Sequence, residues 1–269
     1  MPAEPVDAVE RGPITHRSLN DVVNVSVVAW QHGRMGDMLS ESARTSLLNT
    51  LAEEFVSGEL RRILIAVDGV DGSGKSTFAA GLAAAVSSRP VIVIHVDDFL
   101  NLREVRHRRG RDSPEGFWLD TYDYESLHRD VLVPLGRDGN GCYQPVATDH
   151  RRDVRLHPEP RHAPEDAVVI IEGMFLHRDE LAGWWDYSCF LDVPFAETAR
   201  RMAVRDGSNP DPEHESMRRY VSGQRLYFNS AKPWQRATRV VDNTDPALPR
   251  ILSPLEVRKR RKQTSLLDL

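Results

Sequence analysis

Nine consecutive residues have the types and spacing of a phosphate-binding loop. They read G-V-D-G-S-G-K-S-T and match the pattern G-x-x-x-x-G-K-[ST]. The nine are Gly69, Val70, Asp71, Gly72, Ser73, Gly74, Lys75, Ser76 and Thr77. Glycines let backbone N–H groups approach a phosphate, Lys75 can reach the β- and γ-phosphates of a nucleotide, and the Ser76 hydroxyl can bind Mg²⁺. A chance glycine-rich turn is the alternative, but an apolar run before the loop and a helix-forming run after it favour phosphate binding.

Two carboxylates follow the next apolar run of the chain. Asp97 and Asp98 come directly after Val91 to Val96. Parallel α/β sheets bind ligands at the carboxyl ends of their strands, so we expect both side chains at the edge that carries the phosphate loop. A carboxylate there can accept the proton of an attacking hydroxyl or hold a Mg²⁺-bound water. The alternative is that both aspartates only cap a turn, and the phosphate loop one strand earlier favours the chemical role.

Short apolar runs alternate with helical segments after about residue 60, which is typical of β-α units around a parallel sheet. The predicted strands are Ile63 to Val67, Val91 to Val96, Val168 to Ile171, Ser188 to Val193 and Arg239 to Val241. The predicted helices are Lys75 to Ser87, Tyr124 to Pro134, Ala196 to Asp206 and Pro212 to Asn229. The strand runs are apolar rather than alternating, as expected of strands covered on both faces. We therefore predict an α/β fold with a doubly wound, mostly parallel sheet.

The chain divides into three parts. Residues 1–38 are predicted to be an N-terminal extension in which Val22 to Trp30 is a candidate short strand. The main domain is predicted to cover residues 39–246 and to begin with an amphipathic helix within Ser40 to Leu60. Residues 247–269 form a basic C-terminal tail, which we expect to be solvated because charge runs at termini are commonly disordered.

Composition limits the compartment and the partners. The 269 residues carry a net charge of −5, so the whole protein has no electrostatic reason to bind nucleic acid or an anionic membrane. Cys142 and Cys189 are the only cysteines, too few for a disulfide framework, which favours a reducing compartment. The N-terminal region lacks the apolar core of a signal peptide. We therefore expect a cytoplasmic protein that binds neither nucleic acid nor a membrane.

Partner motifs distinguish the classes of protein that use a phosphate loop. The sequence lacks the N-K-x-D motif expected of a GTPase, and the run 168–171 ends in Glu172-Gly173 rather than the paired Asp-Glu of a motor. The phosphate loop, then Asp97-Asp98-Phe99, then Ile171-Glu172-Gly173, then the arginines of 200–206 form an ordered set. This set resembles the uridine kinase and phosphoribulokinase family of P-loop kinases over residues 62–245, most of the chain.

The resemblance implies a P-loop NTPase fold with a helical lid, and a kinase that uses ATP and Mg²⁺ to phosphorylate a hydroxyl of a small molecule. In that family Asp97 matches the catalytic base, and Glu172 matches the strand-end carboxylate that helps to order Mg²⁺. Arg201 and Arg205 match lid arginines that close over the phosphates beside Lys75. Their spacing of four residues puts both on one helical face, and an exposed helix surface is the alternative.

The acceptor is predicted from looser correspondences. Asp98 matches the family aspartate that holds ribose hydroxyls, and Asp123 and Tyr143 are loose counterparts of further substrate-binding residues. Uridine or cytidine is the leading acceptor, with nicotinamide riboside, pantothenate or a sugar phosphate as rivals. A nucleotide-binding regulatory protein without turnover is an alternative from another class, but such a protein would not need Asp97 or Glu172. The long segments 101–120 and 138–166 are expected to be loops on the substrate side, and a homo-oligomer is compatible with the sequence.

Overall fold

The computed structural model describes residues 43–58 and 61–267, with side chains described as far as Lys262. The predicted N-terminal extension, including the candidate strand Val22 to Trp30, lies outside the described residues.

A six-stranded sheet forms the centre of the described part of the chain. The ten described strands are β1 (Ile63–Gly69), β2 (Val91–His95), β3 (Cys142–Tyr143), β4 (Thr148–Asp149), β5 (Val154–Arg155), β6 (Arg161–His162), β7 (Val168–Gly173), β8 (Tyr187–Asp192), β9 (Arg239–Asp242) and β10 (Arg250–Ile251). The central sheet has the order β10-β9-β8-β1-β7-β2, and only β10 is antiparallel to its neighbour. The predicted α/β class and mostly parallel sheet are therefore confirmed.

Helices cover both faces of this sheet. They are α1 (43–56), α2 (Lys75–Ala85), α3 (Arg103–Arg106), α4 (Pro114–Asp120), α5 (Tyr124–Leu127), α6 (Val133–Leu135), α7 (Phe195–Asp206), α8 (Arg218–Ala231), α9 (Pro233–Arg236) and α10 (Pro254–Leu267). A π-helical turn, His128–Leu132, joins α5 to α6. No helix in the described residues is long and apolar enough to cross a membrane.

The apolar strands divide their side chains between two cores. On β1, Ile63, Ile65 and Val67 pack with α1 and α2, whereas Leu64 and Ala66 pack with residues of α4 and α5 on the other face. This division follows from the two-residue period of a strand. Because both faces of β1 are covered, the strand contains no polar residue before Asp68, which lies at its carboxyl end next to the phosphate loop.

Three segments depart from the sequence-based expectations. The segment 101–120 is not a loop throughout, because it contains α3 and α4, and the segment 138–166 contains two small two-stranded sheets, β3 with β6 and β4 with β5. The helix expected from Pro212 begins only at Arg218, after a 3₁₀ turn at Glu215–Met217.

The expectation of a solvated C-terminal tail is wrong for the described residues. The tail supplies β10 and α10, and its Leu252 and Val257 are buried against the sheet. Arg261 pairs with Asp192 at the end of β8, and Arg260 pairs with Asp242 at the end of β9. The two carboxylates thus neutralise arginines of the basic run, which in the sequence alone suggested a solvated tail.

Candidate active site

The phosphate loop lies between β1 and the first turn of α2. Gly72 and Gly74 have φ angles of 75° and 90°, which residues with side chains rarely adopt. A Cβ at Gly72 would lie 2.7 Å from the Thr198 carbonyl oxygen of α7, so the backbone there has no room for a side chain. Lys75 Nζ donates to the Val70 carbonyl at 3.0 Å, which holds the ammonium against the loop. A tight backbone curl at a helix N-terminus with a lysine beside it suits a phosphate.

A buried network beneath the loop was not anticipated from the sequence. Asp68 is fully buried, and its Oδ1 accepts a hydrogen bond from the Gly69 N–H at 2.7 Å. Its Oδ2 accepts from the Tyr227 hydroxyl and from His177 Nδ1, the latter at 2.7 Å. Burial, reinforced by the charge of Asp68, raises the pKa of Tyr227 well above its usual value, so the hydroxyl stays a donor. The network fixes the position at which the chain enters the loop.

Glu172 lies where the phosphate loop and β2 approach each other. It is opposite Val67 of β1 and His95 of β2 in the sheet register. Its Oε1 accepts from the Ser76 hydroxyl at 2.9 Å and from His95 Nδ1 at 2.6 Å. Burial alone would raise the pKa of Glu172, but the hydrogen bond from His95 and the charge of Lys75 outweigh it, so the pKa is lowered. The site thus favours an ionised carboxylate beside the Ser76 hydroxyl.

The Ser76 hydroxyl and the Glu172 carboxylate fit a Mg²⁺ ion that also binds phosphates. In residues 43–58 and 61–267, no group of three or more His, Cys, Asp or Glu side chains could hold a metal by itself. Mg²⁺ is commonly bound by one or two carboxylates together with substrate phosphates and water. Ser76 of the phosphate loop and Glu172 beside it are the donor set expected for such an ion.

Asp97 and Asp98 lie in a 3₁₀ turn at the end of β2, as predicted from the apolar run before them. Asp97 Oδ1 accepts a hydrogen bond from the buried Tyr122 hydroxyl at 2.7 Å. Tyr122 therefore orients the carboxylate, a role that the sequence did not reveal. Burial raises the pKa of Asp98, and the nearby charge of Asp97 adds to the increase while His95 opposes it.

Arg201 and Arg205, the two predicted lid arginines, both contact the phosphate loop. Arg201 donates to the Gly72 carbonyl at 3.3 Å, and also to the carbonyls of Asn243 and Thr244 at 3.0 and 2.8 Å. The exposed Arg205 lies 3.3 Å from the Asp71 carboxylate. Arg201 is thus occupied by backbone contacts that tie α7 to the loop, whereas Arg205 is free to turn, since its partners are surface carboxylates.

Asp123 and Tyr143 do not line the pocket that contains Asp97. Asp123 caps α5 by accepting from the Ser126 N–H, and it also pairs with Arg155. Tyr143 is buried in the core beside β7. Their predicted contact with substrate remains a prediction.

A pocket of about 400 Å³ opens beside Asp97. Its wall includes Asp97 and Tyr122 together with residues of α3, α4 and α8. The pocket joins segments that are distant in the sequence, so no local motif could have identified it.

Comparison with known proteins gives three informative similarities. The chain is 28% identical over 153 residues to human nicotinamide riboside kinase 1, which covers 56% of this chain and 69% of that protein. A structure described as a possible uridine kinase from Bacillus stearothermophilus has a TM-score of 0.57 and 22% identity, covering 72% of this chain and 96% of that chain. No protein-family model matches the chain.

The third similarity is to a structure from Silicibacter sp. that is provisionally described as a fructose transport system kinase. It has a TM-score of 0.56 and 27% identity, and covers 70% of this chain and 95% of that chain. The descriptions of these three proteins thus name three different small molecules, which are nicotinamide riboside, uridine and fructose.

Proposed function

We propose that this chain, a P-loop small-molecule kinase of the uridine kinase and phosphoribulokinase-like group, transfers the γ-phosphoryl group of ATP to a hydroxyl of an acceptor bound beside Asp97. The reaction would require Mg²⁺. The observation that carries the proposal is the position of Glu172. Its carboxylate accepts from Ser76 of the phosphate loop and from His95, two residues before Asp97. A phosphate site, a metal-ligand pair and a candidate base are therefore adjacent.

The residues have separate roles in this reaction. The phosphate loop and Lys75 hold the β- and γ-phosphates, and Asp97, held by Tyr122, takes the proton of the acceptor hydroxyl. The acceptor oxygen then bonds to the γ-phosphorus as the bond to the β-γ bridging oxygen breaks, and ADP leaves. Bound Mg²⁺ would neutralise charge on the phosphates, and Ser76 and Glu172 are the residues that would hold it. Arg205 can turn from Asp71 towards the transferred group.

The acceptor is proposed only as a class at this stage. A pyrimidine nucleoside remains the candidate suggested by the sequence resemblance, and the names of the relatives add nicotinamide riboside and fructose. These compounds all offer a primary or secondary hydroxyl, so the chemistry at Asp97 is the same for each.

The test is formation of ADP by the purified protein with ATP, Mg²⁺ and a panel of acceptors, compared between wild type, Asp97→Asn and Lys75→Ala. We expect Asp97→Asn to bind ATP normally but to lose about 10²- to 10⁴-fold in kcat, the range for loss of a general base. Lys75→Ala should lose nearly all turnover while its circular dichroism spectrum stays unchanged. Wild-type activity in Asp97→Asn would mean that another group takes the proton. ATP binding without transfer to any acceptor would favour a regulatory protein.

A further inference from the structure

Three arginines line the pocket beside Asp97. They are Arg106 of α3, Arg111 between α3 and α4, and Arg219 of α8. Among the described residues none of the three forms an ion pair within 4 Å, although Arg108 and Arg109, on the same segment, both pair with Asp120. The segment therefore has a nearby carboxylate for some of its arginines, but neither of its two pocket arginines pairs with it.

Arg219 is the most constrained of the three. Only 9% of it is exposed, and its guanidinium donates to the Arg111 carbonyl and to the Arg106 carbonyl, the latter at 3.3 Å. Burial, with the like charges of Arg106 and Arg111, lowers the pKa of Arg219, although the charge of Asp112 opposes the change. Removing a cation from water without a carboxylate beside it is unfavourable, so this arrangement costs stability unless an anion completes it.

The other charged groups at the pocket do not supply that anion. Asp112 is exposed and lies on the wall without pairing with any of the three arginines within 4 Å in the described part of the chain. Asp97 is already held by Tyr122, and it must stay available to the acceptor hydroxyl. His107, also on the wall, has its pKa lowered by partial burial and by the surrounding arginines, which is consistent with a positive potential in the pocket.

We propose that the acceptor is an anionic alcohol, whose phosphate or carboxylate group is bound by Arg219, Arg106 and Arg111 while its hydroxyl faces Asp97. Guanidinium groups pair well with both kinds of anion because their N–H donors form a planar fork. A neutral nucleoside would leave the three charges unpaired, and the cationic ring of nicotinamide riboside would add to the repulsion. The inference rests on the proposed function and narrows its acceptor.

The first test compares acceptors in pairs that differ in charge. Suitable pairs are fructose 6-phosphate with fructose and pantothenate with pantothenol, with uridine and cytidine as neutral references. For the accepted pair, we expect kcat/KM for the anionic member to exceed that for the neutral member by about 10- to 150-fold, the ratio equivalent to one hydrogen bond between charged groups. The pair that is accepted distinguishes a phosphate from a carboxylate. Equal or better turnover of neutral acceptors would overturn the inference and leave the kinase function intact.

The second test removes the pocket charges one at a time. Arg219→Met should reduce the anionic-to-neutral preference to near one, raising KM for the anionic acceptor while KM for ATP is unchanged. Arg218→Met is the matched control, because Arg218 is exposed on the same helix and does not line the pocket. Arg111→Gln covers the case in which Arg219→Met fails to fold. The hydrogen bond from Arg219 to Arg111 is accepted by the backbone carbonyl of Arg111, so the substitution keeps it. Unchanged preference in both pocket variants would refute the proposal.

A binding measurement separates this inference from the proposed function. With ADP and Mg²⁺ saturating the phosphate loop, isothermal titration of fructose 6-phosphate and pantothenate would report on the pocket without any turnover. Binding by wild type that is lost in Arg111→Gln but kept in Arg218→Met would support an anion pocket even if no acceptor were phosphorylated. No binding of either anion would refute it.

Discussion

Removing one hydroxyl from the network beneath the phosphate loop should measure how strongly the fold depends on Asp68. In Tyr227→Phe, the buried carboxylate loses one of its four donors and keeps the Gly69 N–H and the two N–H groups of His177. A hydrogen bond to a charged group contributes about 1.5–3 kcal/mol, and the site is fully buried, so water cannot replace it. We expect the free energy of unfolding to fall by about 1.5–3 kcal/mol.

Thermal and chemical denaturation would test this value. For a domain of this size, a change of about 1 kcal/mol shifts Tm by about 2–4 °C, so the expected decrease is about 3–12 °C. Tyr187→Phe is the matched control, because its hydroxyl makes no hydrogen bond within the described part of the chain while its ring stacks on Phe55. A loss below about 0.5 kcal/mol in Tyr227→Phe, or equal losses in both variants, would show that the network does not stabilise the fold.

Two further predictions concern the loop and the C-terminal helix. Gly72→Ala should weaken ATP binding at least tenfold by titration, because a Cβ there would lie 2.7 Å from a carbonyl oxygen of α7. Gly207→Ala controls for backbone strain alone, because Gly207 has a φ of 77° but its Cβ would have no atom within 4 Å. An equal loss of ATP affinity in the two variants would contradict the steric argument. Arg261→Met should destabilise the protein by about 1–3 kcal/mol in denaturation, because it leaves the nearly buried Asp192 carboxylate of β8 with only the longer ion pair to Arg260, at 3.4 Å. Arg258 is exposed, so Arg258→Met should change the free energy of unfolding by less than about 0.5 kcal/mol. A similar loss of stability in Arg258→Met and Arg261→Met would mean that the net positive charge of α10 matters, and not the specific ion pair of Arg261.

The parts of the site that lie within one segment could be predicted from the sequence. The phosphate loop is contiguous, and Asp97 follows an apolar run that forms β2, the strand at the edge of the central sheet. The partners of Asp68 could not be predicted, because His177 and Tyr227 are 109 and 159 positions away and meet it only through tertiary packing. The contact between Tyr122 and Asp97, which are 25 positions apart, could not be predicted for the same reason.

The pattern of charged residues was the least reliable predictor of structure, because it does not specify which partner each charge pairs with. The basic run at the C-terminus suggested a solvated tail, whereas Arg260 and Arg261 pair with carboxylates at the ends of two strands. Conversely, the arginines of 101–120 had no pattern that separated Arg108, which pairs with Asp120, from Arg106, which faces the pocket. Only the three-dimensional arrangement distinguishes an arginine that stabilises the fold from one that is available to a ligand.

The buried ring of Phe175 lies between the residue that holds Asp97 and the network beneath the phosphate loop. Phe175 follows β7 by two residues, and its ring lies 6.3 Å from that of Tyr122 and 5.2 Å from that of Tyr227. Its φ of 69° is unfavourable for a residue with a large side chain, by about 1–2 kcal/mol, and the surrounding aromatic packing holds it there. Because Tyr122 orients Asp97 and Tyr227 supports the start of the phosphate loop, the same ring restrains both. The distance between the proposed base and the phosphate site is therefore set by the packed core and not by either loop alone.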